Sequence, residues 1–318
     1  MYIMRSGIGN AGGFGLLFLL AAPFAFATEP PSGDAVVRGK YRDSDIVITT
    51  TTRLAGAIHS LRWNGQEFID SADHGRQLQS ACSFDCAKAG PFWPEAFNPT
   101  EAGSRRDGAG AKSTSKLLEL KADKNELTTR TQMAFWLAPG ENSDKYPALN
   151  DKALSQHTVS KRVIIGSKNF PNVIDYRVTF DGPAPENHTY AQYEALTGYM
   201  PSEFSTFRTW NPKDGKLAKL GDGPGEQSLP VVFSKPDGEH AMAVWSPDQP
   251  SKGYGGAGYG RFRFEPEKVV KWNCVFRFKD AAGVKLAGRA FRVFVVLGTL
   301  EDVRSTLAGL VKAADERR

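Results

Sequence analysis

Cysteine is scarce in this 318-residue sequence: there are three, and no Cys or His cluster completes a zinc ligand set at the usual spacing. A disulfide-stapled miniprotein is excluded as well, because 41% hydrophobic residues over this length can bury a sizeable core. Charge of one sign is not concentrated either. The 40 Lys+Arg stand against 35 Asp+Glu, a net +5 with no run of five like charges, so no electrostatic footprint for nucleic acid is present. No Gly-x-Ser-x-Gly occurs, which removes the nucleophile elbow of a serine hydrolase. The glycine-rich GYGGAGYGRFRF at 253–264 lacks the Lys-Ser/Thr and following helix of a phosphate loop. It reads instead as a mobile loop bringing Tyr254, Tyr259 and Arg261 to a cleft.

Long apolar runs are also few. The run at Phe14 to Phe26 has 13 residues and is broken by Pro23, well short of the ~20 that span a bilayer as a helix. With Arg5 before it and Ala25-Phe26-Ala27 closing it, this predicts a secretory signal peptide cut after Ala27 and a secreted or periplasmic protein, rather than a membrane anchor. No later segment is long enough to span. In an oxidising compartment Cys82, Cys86 and Cys274 could form one bridge, and the local Cys82–Cys86 pair is the preferred one.

What the chain has in quantity is period two. Asp45 to Thr52, Leu127 to Leu137, His157 to Ile165, Val173 to Phe180, Tyr190 to Tyr199, Ala241 to Trp245, Val269 to Phe278 and Ala290 to Leu297 all read as strands. Asn64-Gly65, between AIHSLRW and QEFID, marks a two-residue hairpin turn. One helix is expected, at the end: Thr299 and Asp302 form a capping box, and Leu300, Val303, Leu307, Leu310 and Val311 share a face. About a dozen strands without a crossover helix predict an all-β fold, a large antiparallel sandwich with a short C-terminal helix closing one end. No linker divides residues 28–318, so a single domain is the simplest account.

The segment GAIHSLRWNGQEFID resembles the opening of the galactose mutarotase-like proteins through Gly56, Ile58, Ser60, Leu61, Gly65, Glu67 and Phe68. Asn187-His188-Thr189-Tyr190 is similar to the Asn-His-x-Tyr of aldose 1-epimerases. The resemblance implies a β-supersandwich and gives His188 the role of acid toward a sugar ring oxygen. The base glutamate of that family has no counterpart near the C-terminus.

Other residues suggest a site by their chemistry. In Asp73-His74-Gly75-Arg76 the glycine lets the chain turn so that His74 and Arg76 share a neighbourhood, the alternative being a polar turn with an Asp73–Arg76 ion pair. The long segment from Cys82 to Lys112 gathers Trp93, Asn98 and Glu101, an aromatic face, an amide and a carboxyl group for proton transfer. Gln192 and Glu194 lie two apart on one strand, in a strip with His188 and Tyr190, and Tyr199 follows. The expectation is an exported carbohydrate-active protein with Glu101 and His188 as acid/base groups and His74, Arg76, Trp93, Asn98, Gln192, Glu194 and Tyr199 as binding groups. Neither metal nor cofactor is needed for such chemistry. The alternative is a non-catalytic glycan-binding or cell-envelope assembly protein on the same fold.

Overall fold

The structure, a computed structural model, describes residues 31–316 apart from residues 168 and 185. The signal segment and its cut after Ala27 lie outside the described residues.

The strand pairings, all antiparallel among the described residues, build two layers. The first runs Ala35–Tyr41, Ser44–Thr50, Ile58–Trp63, Leu78–Phe84, Tyr190–Pro201, Val269–Lys279 and Tyr259–Phe264. The second runs Lys116–Asp123, Glu126–Phe135, Leu154–Ile165, Val173–Asp181, Arg289–Gly298, Ala241–Trp245, Val231–Ser234 and Thr206–Trp210. The short strand Pro99–Thr100 stitches the layers together by pairing with Ala81 on one side and with Phe135 and Ala134 on the other. The fold is therefore an antiparallel sandwich, as the alternating sequence predicts.

Inward-facing aromatics join the layers. Tyr193 meets Phe180 at 5.1 Å between ring centroids, and Phe276 lies 4.4 Å from Phe291. Burial of each such ring contributes about 1.5–3 kcal/mol. At the hairpin, Asn64 and Gly65 have φ of 47° and 76°, and Trp63 pairs directly with Gln66. Two successive left-handed residues are the signature of the type I′ turn that suits the twist of the flanking strands.

The helix Leu300–Asp315 begins as expected: the Thr299 side chain accepts from Asp302 N–H and the Asp302 carboxylate accepts from Thr299 N–H. It does not close an end of the sandwich. Val303, Leu307 and Leu310 lie on the outer face of the second layer, in one cluster with Val232, Ala243, Trp245 and Val296. An apolar stripe of that width is buried by a sheet face more completely than by a rim.

The strand Leu78–Phe84 is absent from the sequence reading. Its LQSACSF composition is small and polar, yet every residue in it is buried. Such residues carry weak strand propensity, and their burial depends on what surrounds them. The three cysteines are free thiols. Cys82 points into the core from this strand while Cys86 lies in the loop beyond it, so the preferred local bridge does not form.

Candidate functional site

The outer face of the first layer carries a cleft of about 480 Å³. Its floor is the strand Tyr190–Pro201, flanked by Leu78–Phe84 and Val269–Lys279. Gln79, Ala81 and Ser83 from one neighbour and Lys271, Asn273 and Arg277 from the other point outward at period two. The central strand does something that alternation alone forbids. Glu194 pairs with Val275 and Leu196 with the next residue, Cys274, so Ala195 is an extra residue, a β-bulge. Gln192 and Glu194 before the bulge, and Thr197 and Tyr199 after it, consequently face the same cleft.

The charges on this floor are paired. Lys271 Nζ lies 3.3 Å from Glu194 and sits over the rings of Tyr199 and Phe262 at 5.1 and 5.5 Å. Burial alone would pull the Lys271 ammonium down, but the Glu194 carboxylate and the Tyr199 hydroxyl outweigh it and hold it above the ordinary lysine range. Burial raises the Tyr199 phenol, with Lys271 opposing. Arg277 forms a two-pronged pair with Glu226 at 2.8 and 2.9 Å and donates to Gln192 Oε1 at 3.2 Å. Glu226 outweighs the burial that would lower the guanidinium and raises it. Glu95, at the cleft wall, accepts from the Ser143 hydroxyl and has no ion-pair partner among the described residues.

Aromatic faces border these polar groups. Trp93 stacks on Tyr146 at 4.5 Å with ring planes 10° apart, and Tyr199 stacks on Phe264 at 6.4 Å. Trp136 closes the cleft over Gly75, where a Cβ would come within 2.7 Å of the indole and where φ is 96°. Only glycine combines that close approach with that backbone.

The expected binding residues Trp93, Asn98, Gln192, Glu194 and Tyr199 thus share one cleft, although the Asn98 amide nitrogen is committed to Cys82 O and Ser83 Oγ. Four others lie elsewhere. Glu101 is fully buried between the layers: Lys161, equally buried, donates to Oε1, and Ser80 N–H donates to Oε2 at 3.1 Å. With no surface open to a substrate, it neutralises a core lysine, since a buried charge requires a partner. His74 is turned inward, its ring nitrogens 2.8 Å from Gly108 O and Arg53 O. Arg76 pairs with Asp73 at 3.5 Å, the polar-turn alternative.

His188 is also buried, stacked on Phe84 at 4.6 Å. Its Nδ1 accepts from Cys86 N–H at 3.1 Å, and its Nε2 lies 2.9 Å from Glu186. His157 Nε2 lies 3.2 Å from the same Glu186 oxygen. This His157–Glu186–His188 group has the donor set of a divalent-cation site. A ring nitrogen that accepts from a backbone N–H leaves the proton on the other nitrogen, so His188 directs Nε2–H rather than a lone pair at Glu186. Both His188 nitrogens are thereby committed to hydrogen bonds, whereas neither ring nitrogen of His157 has a hydrogen-bond partner among the described residues. Burial would raise the Glu186 carboxyl, but the neighbouring His157 ring and the hydrogen bond from His188 prevail and hold it down at about 2. In the 253–264 segment, Tyr254 lines a second cavity, whereas Tyr259 is buried with its hydroxyl on Ser246 N–H, and Arg261 is held by Gly221 O and Gln227.

Lys271, Asn273, Arg277, Glu226, Glu95 and Gln79 were missed by sequence reasoning. A signal for the first three is present in VVKWNCVFRFK, where polar residues recur at even spacing in an otherwise apolar strand.

Neither a protein-family model nor a curated protein sequence matches this chain. Among solved structures it is similar to an aldose 1-epimerase candidate from Escherichia coli, with 8% identity, a TM-score of 0.46 and coverage of 83% of this chain and 98% of that one. It is also similar to a beta-arabinopyranosidase, with 12% identity, a TM-score of 0.40 and coverage of 83% and 40%. An alpha-galactosidase from Geobacillus stearothermophilus is matched with 8% identity, a TM-score of 0.40 and coverage of 85% and 42%. At these values no site residue of those proteins transfers to this chain by position.

Proposed function

We propose that this is an exported carbohydrate-binding protein whose ligand occupies the cleft over the Tyr190–Pro201 strand. The observation that carries the reading is the make-up of that cleft: flat aromatic faces (Trp93, Trp136, Phe262) beside paired, pre-positioned hydrogen-bonding groups (Glu194–Lys271, Glu226–Arg277, Gln192). A pyranose has an apolar face and a rim of hydroxyls, and this surface offers a partner to each. The solved structures named above include sugar-processing proteins, which agrees with a carbohydrate ligand.

Binding is favoured over turnover because Glu194 and Glu226 are each tied to a cation, while Glu101 and His188 do not line the cleft. A second reading, acid/base catalysis at a glycosidic or anomeric centre, rests on Glu95, the cleft carboxylate without an ion-pair partner among the described residues. General acid or base work needs a carboxyl group within reach of the reacting oxygen.

The test is a glycan-library screen of the purified mature protein, with reducing-sugar detection, repeated on Trp93→Ala and Lys271→Met. The proposal expects binding by the wild type, weakened about tenfold or more in each variant. Failure of every glycan to bind would refute it. Turnover abolished in Glu95→Gln, with binding retained, would promote the catalytic reading. Export is checked by mass spectrometry of the mature chain, which should begin near Thr28.

A further inference from the structure

A second and larger cavity, about 750 Å³, adjoins the cleft, and Trp93 lines both. Its wall is aromatic. Phe92 packs edge-on against Tyr190 at 4.6 Å, Tyr254 lies 6.4 Å from Tyr190, and Tyr146 backs Trp93. The Asp85 carboxylate on this side is engaged, accepting from Thr189 N–H and from the Thr189 hydroxyl. The Lys88 and Lys279 side chains also line the cavity, so it offers a run of faces for stacking beside two cationic donors.

The loop that delivers Phe92 and Trp93 is held in an uncommon shape. Cys86, Ala87 and Gly90 have φ of 52°, 50° and 110°, so two successive non-glycine residues sit in the left-handed region between the end of the Leu78–Phe84 strand and the aromatic pair. Such conformations persist where the surroundings over-determine them, and they gather at ligand-holding loops. Cys86 is fixed through its N–H on His188, so the buried histidine cluster anchors this loop rather than touching a ligand.

From the shared tryptophan and the run of rings beyond it, we infer that the ligand is an oligosaccharide of at least two sugar units. One unit lies in the polar cleft, and the chain crosses Trp93 to stack in the aromatic cavity. This inference rests on the carbohydrate reading of the cleft. A single sugar would use the cleft and leave Phe92 and Tyr254 without a role, whereas successive units each present an apolar face to successive rings.

The experiment titrates the mature protein with neutral oligosaccharides of one to six units, in α-1,4-glucose, β-1,4-glucose and β-1,4-galactose series. Wild type, Phe92→Ala, Tyr254→Ala and Lys271→Met are compared. Both aromatic residues are half-buried, so folding should survive their loss, and unchanged melting temperatures check this. For the series that binds, wild-type affinity should rise at least about tenfold from one unit to three and then level off. Phe92→Ala and Tyr254→Ala should each cut trisaccharide affinity about five- to tenfold without changing monosaccharide affinity. Lys271→Met should weaken every length. Equal affinity for one and three units, with Phe92→Ala and Tyr254→Ala binding as the wild type does, would overturn the oligosaccharide inference and leave the sugar-binding cleft standing. No binding in any series would count against both.

Discussion

The two layers of the sandwich are built alike, yet their outer faces diverge. The second layer turns Val173, Val232, Ala243 and Val296 outward, and the helix Leu300–Asp315 covers them with Val303, Leu307 and Leu310. The first layer turns Gln79, Gln192, Glu194, Lys271 and Arg277 outward beside Trp93 and Phe262, and no helix lies over them among the described residues. Apolar surface gains by being covered. A face of paired charges gains little, because covering it strips water that the pairs only partly replace. Among the described residues the one long helix lies where burial stabilises, and the face where polar groups can meet a ligand is left open.

That division predicts that substitutions inside or under the helix cost stability, while those in the cleft cost binding. The largest effect is expected at Glu101, which adjoins the cleft strands but faces inward. Glu101→Gln strands the buried Lys161 ammonium and should destabilise by about 3–5 kcal/mol in urea unfolding. A loss below 1 kcal/mol would place Glu101 with the cleft residues after all. Under the helix, Leu307→Ala opens a cavity against the second layer and should cost about 2–5 kcal/mol without altering glycan affinity. In the cleft itself the Glu194–Lys271 pair keeps only some contact with water, at side-chain exposures of 19% and 14%, so Glu194→Gln should cost about 1–3 kcal/mol, less than Glu101→Gln, and weaken sugar binding severalfold by releasing Lys271. At the hairpin, Gly65→Val should lower stability by about 1–2 kcal/mol. No neighbour crowds this position, so the penalty is that of a β-branched residue at φ 76°. An unchanged melting temperature would contradict the type I′ turn.

A pH titration sharpens the same contrast for the buried histidine cluster. Glu186 titrates at about 2 when folded, below the ordinary 4.5. A depressed carboxylate stabilises the fold fully above its unfolded value and loses that contribution as pH falls through its folded one. The stability difference between wild type and Glu186→Gln should shrink as pH falls from 4.5 to about 2. A difference that stays unchanged across that interval would exclude the Glu186–His188 pairing described above.

Much of the architecture is legible in the residues. Alternation in Val173–Asp181, Ala241–Trp245 and Val269–Lys279 marks strands within a residue or two of their ends, Asn64-Gly65 marks the turn, and Thr299 with Asp302 marks the start of the helix. These features are local, since each depends on side chains a few residues apart acting on their own backbone. Even Lys161 could have been read, because it falls on the inward set of Leu154–Ile165 together with His157, Val159 and Val163. A lysine among core positions announces a buried partner, though nothing local says that the partner is Glu101.

The cleft belongs to the other kind of information. Strict alternation from Gln192 and Glu194 sends Tyr199 to the opposite face, and only the extra residue Ala195, unpaired between the strands Leu78–Phe84 and Val269–Lys279, returns Thr197 and Tyr199 to the cleft side. A bulge is a disagreement between the registers of neighbouring strands, so it does not exist until those strands, distant in sequence, are paired. In the same way Glu101, His74 and His188 carry the chemistry of a site in their side chains. Burial, decided by which surfaces the two layers bring together, gave them structural work instead. Residue type, periodicity and turn chemistry determined the fold class from the sequence alone. Which polar residues remain open to a ligand was decided by long-range packing, because exposure is a property of the assembled surface and not of any one stretch of chain.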